Sequence, residues 1–172
     1  MLDPVKCFDL SNIRLAYSTF RTMSHIGEVV IDDDKCVIQT RRWVEHEFVT
    51  RELMDDVEVN FLIATVHLGM RLVNDEQDKG GESDESAEEG DPIYVIEAGF
   101  VAEFKVVCEE FDEESLQDFT SKNAPHVVWP FWRQHVCGTL QSASLPVVQV
   151  PLMAKVREPR PSALAPTLAQ PQ

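Results

Sequence analysis

Hydrophobic and polar residues alternate most regularly from Tyr94 to Val106, with Tyr94, Ile96, Ala98, Phe100, Ala102, Phe104 and Val106 on one face and Glu97, Gly99, Glu103 and Lys105 on the other. A period of two is the signature of a half-buried antiparallel strand. Val57 to Val73 is apolar on both faces, with Val57, Val59, Phe61 and Ile63 on one and Leu62, Ala64, Val66, Leu68, Met70 and Leu72 on the other. This predicts a central strand buried on both sides, compatible with a subunit contact. Upstream, Ile13 to Phe20 and Val44 to Thr50 are rich in β-branched and aromatic residues, with Arg14, Arg21, Arg41 and Arg42 interspersed, and predict the first two strands. His25 to Gln39 between them reads as a further hairpin, and the first residues as loose.

The period then changes. Asp112-Glu113-Glu114-Ser115 is a helix start, because Asp caps free N–H groups and acidic residues suit the positive end of the dipole. One helix is predicted from there to about Phe119, and a second from about Pro130 to Ser142, where Trp132, Val136 and Leu140 recur at i, i+4 and i+8. Pro130 suits a first helical turn, whose N–H has no intrahelical partner. Pro146 and Pro151 forbid helix and sit badly in a central strand, so Leu145 to Leu152 is predicted to lie extended over an apolar surface. Beyond it the prolines at 159, 161, 166 and 171 and the sparse apolar content predict a disordered tail over 154–172.

These elements make an α+β fold: a four-stranded antiparallel sheet, then a helical region and an extended crossover, forming one domain over 1–153. With 172 residues the chain buries enough surface to need no staples, and Cys7, Cys36, Cys108 and Cys137, lacking any C-x-x-C pair, read as reduced cytosolic thiols. Neither a signal peptide nor a long apolar run is visible, which predicts a soluble cytoplasmic protein without membrane insertion.

Charge narrows the partners. A net charge of −15 disfavours nucleic acid and anionic membranes. Much of it is local, since Asp75, Glu76, Asp78, Glu82, Asp84, Glu85, Glu88, Glu89 and Asp91 stand against Lys79 alone. With the glycines and serines among them, Asn74 to Asp91 reads as a solvated, disordered loop, or as a docking patch for a basic partner. Catalysis, metal and cofactor find no support. His25, His46, His67, His126 and His135 show no ligand spacing, and His135 and Cys137 point apart on a helix. A nucleophile elbow and a phosphate-binding loop are both missing from the sequence, so ATP use is not expected. Cys137 reads as a small buried apolar residue.

Trp129-Pro130-Phe131-Trp132-Arg133, followed by Leu145-Pro146-Val147-Val148-Gln149-Val150-Pro151, resembles the aromatic-Pro-aromatic-x-Arg helix and proline-bounded crossover of the SecB family of export chaperones. The layout is similar from about Asn12 to Leu152. Ser142-Ala143-Ser144 stands where the family has a glycine-rich hinge, and the family's second long helix has no counterpart after Leu152. The acidic insertion and proline-rich tail are most similar to the SecB-like chaperones of toxin–antitoxin–chaperone modules. The resemblance implies a homotetramer, a dimer of dimers, that holds unfolded precursor proteins or an antitoxin without ATP and extends to the translocase ATPase as a further partner. It implies a groove lined by Trp129, Phe131, Trp132, Leu145, Val147, Val148, Val150 and Leu152, with Phe100 and Phe104 of the sheet. Core or interface packing is the competing account of the aromatic residues, and a non-chaperone oligomeric scaffold the competing function.

Overall fold

In the computed structural model, residues 6–22, 36–53, 57–74, 92–108 and 110–150 are described. They form β1 (Phe8–Thr22), β2 (Cys36–Leu53), β3 (Val57–Asn74), β4 (Tyr94–Val106) and α1 (Glu113–Ser142). The strands make one antiparallel sheet in the order β1-β4-β3-β2, so the two most apolar strands are central and the strands richest in arginine are the edges.

The alternation of β4 and β3 assigns the two faces. Even-numbered residues of both strands, from Leu62 to Leu72 and from Tyr94 to Phe104, point at α1 and join the main core with Leu116, Phe119, Ala124, Val128, Trp132, Val136 and Leu140 of the helix. The opposite face carries a smaller cluster of Val59, Phe61, Ile63 and Val101, backed by Val49. β3 is therefore buried on both faces over most of its length, as its composition predicts, although Val57 at its start is exposed.

Several expectations change. β2 begins at Cys36, so Val37 and Ile38 belong to a long edge strand instead of a separate hairpin, because their side chains pair with Val73 and Leu72. The remainder of that stretch, the first residues, the acidic segment 75–91, Leu152 and the tail lie outside the described residues. The two predicted helices are one helix of 30 residues with Pro125 and Pro130 inside it. Each proline removes a bond to the carbonyl four residues earlier, at Ser121 and His126. Both of those residues are exposed, so water can take the vacated bond. Buried positions recur every four residues from Leu116 through Thr120, Ala124, Val128, Trp132, Val136 and Leu140. Such a repeat drifts by about 40° per step against 3.6 residues per turn, so the buried stripe winds around the helix.

The cysteine reading is overturned in part. Cys7 and Cys108 are joined by a disulfide across the ends of β1 and β4, with Cα atoms 4.8 Å apart. The pairing of Phe8 with Val106 and the bond from Val107 N to Cys7 O place them just beyond the last rung of the ladder. Only the sheet order could reveal this, since the two residues are 101 apart in sequence. Cys137 is a free thiol, half-buried instead of buried.

Candidate functional site

The side of the sheet that carries α1 holds the candidate groove. Asp112 starts the helix by accepting from Ser115 N at 2.7 Å and from Ser115 Oγ at 2.9 Å, and these bonds hold its carboxyl below the ordinary aspartate range. At the other end the chain leaves by a Schellman turn. Leu145 N bonds to Leu140 O at 2.9 Å, Ser144 N bonds to Gln141 O at 3.0 Å, and Ser144 takes a φ of 56°. Leu145, as the residue after the left-handed one, is turned back toward the core beside Leu140. From there Val148 and Val150 continue against the same core.

This geometry sorts the residues proposed from sequence. Trp132, Phe104, Phe100 and Val150 are at most 5% exposed and belong to the core. Phe104 meets Phe119 edge-on at 5.1 Å, and Trp132 lies over His135 at 6.2 Å. Trp129, Leu145 and Val148 are half-buried at the rim of that core. Phe131 and Val147 are presented to solvent, at 45% and 47% exposure. The motif thus supplies a floor, a rim and two exposed apolar side chains.

The edge strands add residues that sequence reasoning missed. Leu10 and Leu15, which pair with Phe104 and Phe100, continue the apolar floor onto β1 and are 48% and 47% exposed. On the other edge Phe48 is equally open and stacks on Phe111 at 5.5 Å. An exposed apolar strip beside a packed helix can take an extended peptide by burial of area alone, with no fixed polar readout. Leu10 and Leu15 were hidden because β1 carries irregularities between Leu10 and Asn12 and between Leu15 and Tyr17. These shift its inward residues to Leu10, Ile13, Leu15, Ser18 and Phe20, a spacing that does not read as a period of two.

One polar contact ties α1 to this edge. His135 Nε2 and Ser18 Oγ are 2.8 Å apart, with the Phe100 ring edge-on to the imidazole at 6.1 Å. Burial lowers the pKa of His135. Deeper in the core the hydroxyl of Tyr94, at 0% exposure, is pushed up to about 12 by burial and by nearby Cys36. Among the described residues, no three His, Cys, Asp or Glu side chains gather as a metal site would require, and no helix is long and apolar enough to cross a membrane.

No protein-family model matches the chain, and no curated protein matches it. Among solved structures, the Mycobacterium tuberculosis SecB-like chaperone Rv1957, in complex with a ChAD peptide from the Rv1956 HigA1 antitoxin, has the same fold. It covers 89% of this chain and 95% of its own, with a TM-score of 0.59 at 12% sequence identity. The four-stranded antiparallel sheet followed by a single helix is therefore a SecB-like fold.

Proposed function

We propose that the protein is an ATP-independent chaperone that holds an exposed apolar peptide segment against the helix side of its sheet, and that its client is the antitoxin of a toxin–antitoxin module. The observation that carries this reading is that Leu10, Leu15, Phe131 and Val147 are exposed apolar side chains around a core already filled by Trp132, Phe100 and Phe104. At about 25 cal/mol per Å² of apolar area, a few hundred Å² of client surface gives a useful affinity after ordering costs. The antitoxin peptide held by the SecB-like chaperone of the same fold supports this choice of client.

Holding of precursor proteins for export is the second reading, favoured by the same side chains, since burial of apolar area does not select one sequence. Both readings carry a homotetramer, a dimer of dimers, which would multiply weak contacts by avidity. Work in the cytoplasm belongs to both. Docking of the translocase ATPase on the acidic residues between 75 and 91 belongs to the export reading alone.

Light scattering of a denatured secretory precursor diluted into buffer with increasing amounts of the protein, without nucleotide, tests the holdase. Suppression that saturates at a fixed ratio supports it. If the precursor aggregates unhindered while a co-expressed antitoxin stays soluble, the dedicated role stands. Failure with both sinks the chaperone reading in favour of a scaffold.

A further inference from the structure

β1 is an edge strand, paired on one side only, with β4. The irregularity between Leu10 and Asn12 divides that pairing. It sets a short terminal section, Phe8, Asp9 and Leu10 against Val106, Lys105 and Phe104, apart from the longer ladder that follows. A section of this kind opens readily, since few bonds must break together. Here it is closed covalently, because Cys7 is joined to Cys108 just beyond its last rung.

The section also covers part of the core. Phe8 is 4% exposed, packs on Phe119 of α1 at 4.6 Å and meets Phe111 edge-on at 5.3 Å. Phe119 in turn stands edge-on to Phe104, the partner of Leu10, and these two rings are 3% and 2% exposed. Lifting Phe8 to Leu10 off β4 would uncover both rings and leave the pairing from Asn12 onward in place.

The two sulfurs are unequally placed. Cys7 is 0% exposed, whereas Cys108 is half-buried and follows Val107, which is 48% exposed. A thiolate arriving from solvent therefore reaches Cys108 Sγ first.

We propose that Cys7–Cys108 is a thiol–disulfide exchange site for a protein dithiol, and that its reduction releases Phe8 to Leu10 from β4 and opens the floor formed by Phe104 and Phe119. One thiolate of the dithiol attacks Cys108 Sγ, the bond between the two Sγ atoms breaks, and Cys7 leaves as a thiolate and takes a proton. The second thiol of the dithiol then displaces Cys108, which forms the dithiol's own disulfide and leaves Cys108 as a thiol. Two electrons and two protons have passed to the pair. Use of the opened floor by a client rests on the chaperone reading, and the opening itself does not.

The test is amide hydrogen exchange of the full chain, followed by NMR before and after addition of dithiothreitol. Val107 N, bonded to Cys7 O at 2.9 Å, reports the clasped end, and Ile93 N, bonded to Leu72 O at 2.8 Å, reports the opposite end of β4. Reduction should speed exchange at Val107 about tenfold or more, as for a fraying terminus, and leave Ile93 unchanged. In Cys108→Ser, Val107 should exchange at the fast rate with or without dithiothreitol. Unchanged exchange at Val107, equal acceleration at Ile93, or a disulfide that dithiothreitol reduces only after denaturation overturns the proposal. Light scattering of a denatured precursor with the oxidised and the reduced chain reads the consequence, and stronger suppression by the reduced chain supports it. Equal suppression by both overturns use of the floor by a client. If neither suppresses, the chaperone reading has failed, and exchange at Val107 still decides the opening.

Discussion

The ring of Tyr17 lies across the bare Cα of Gly99, where a Cβ would come within 2.3 Å of Tyr17 Cε1. From that position the Tyr17 hydroxyl meets His67 Nδ1 at 2.8 Å, spanning from the edge strand over β4 to β3. Gly99→Ala should therefore expel the ring and lose the bond, at a cost of about 1–3 kcal/mol. Urea unfolding measures the cost. In a Tyr17→Ala background the same change should be much cheaper, and equal costs in both backgrounds would show that the ring does not depend on the glycine.

Ser144 sits at a φ of 56°, a conformation that costs a side-chain-bearing residue about 1–2 kcal/mol and glycine little. Ser144→Gly is expected to raise stability by about 1 kcal/mol, read as a higher urea midpoint at unchanged slope. The extra chain entropy that glycine has when unfolded works against the gain, so a net loss would mean that the turn is not strained.

His135 gives a pH dependence. Burial lowers its pKa below 6.5 in the folded protein, so the unfolded chain takes up the proton first as pH falls. Its contribution is complete above 6.5 and is lost as pH drops from there through the lower folded value. His135→Gln should flatten that part of the profile between neutral and mildly acidic pH. Glu103, held below 4.5 by its bond to Arg51, adds a second loss at more acid pH, as protons reach that carboxylate.

Trp132 and Val147 should separate stability from binding. Trp132 is 1% exposed, so Trp132→Ala leaves a cavity and is expected to cost about 3–5 kcal/mol. Val147 is 47% exposed, so Val147→Asp should change stability by only about 0.5 kcal/mol. It should nonetheless reduce suppression of client aggregation. If Val147→Asp holds clients as well as the parent chain, the crossover is not part of the groove.

Cys7–Cys108 closes a long loop, and the chain-entropy account gives such a closure about 2–4 kcal/mol. Cys108→Ser should lower the urea midpoint, and dithiothreitol should then have no further effect. In the oxidised parent, alkylation under denaturing conditions should modify Cys36 and Cys137 alone.

Much of the sheet was legible because β3 and β4 carry their surroundings in their composition: one is apolar throughout, the other alternates, and each pairs as those patterns require. The sequence reads as two helices because Pro130 suits a first helical turn. Tertiary packing of Val128 and Trp132 on the sheet outweighs the bonds that Pro125 and Pro130 remove. Within the motif, sequence marked the apolar residues but not which of them end inside the core, since Phe131 and Trp132 are neighbours whose burial is decided by helix phase. The depression that Arg21, Arg41 and Arg71 line with Glu97, on the face away from the helix, was not legible at all. Arg21, Arg41 and Arg71 stand on three strands, and only the ladder brings them together across Gly69.

Even and odd positions of β4 serve the two surfaces separately, the even ones with Phe100 and Phe104 under the helix and the odd ones with Glu97 and Glu103 among the arginines. A single inserted residue within Tyr94–Val106 would exchange the two sets, turning carboxylates into the core and phenylalanines toward the arginines. Length changes are therefore tolerable only outside the paired rungs. The ladder closes at Leu72 and Tyr94, sealed by the bond from Ile93 N to Leu72 O at 2.8 Å. Outside those rungs a change of length moves neither set across the sheet, so the connection between β3 and β4 is where an insertion would leave both surfaces as they are.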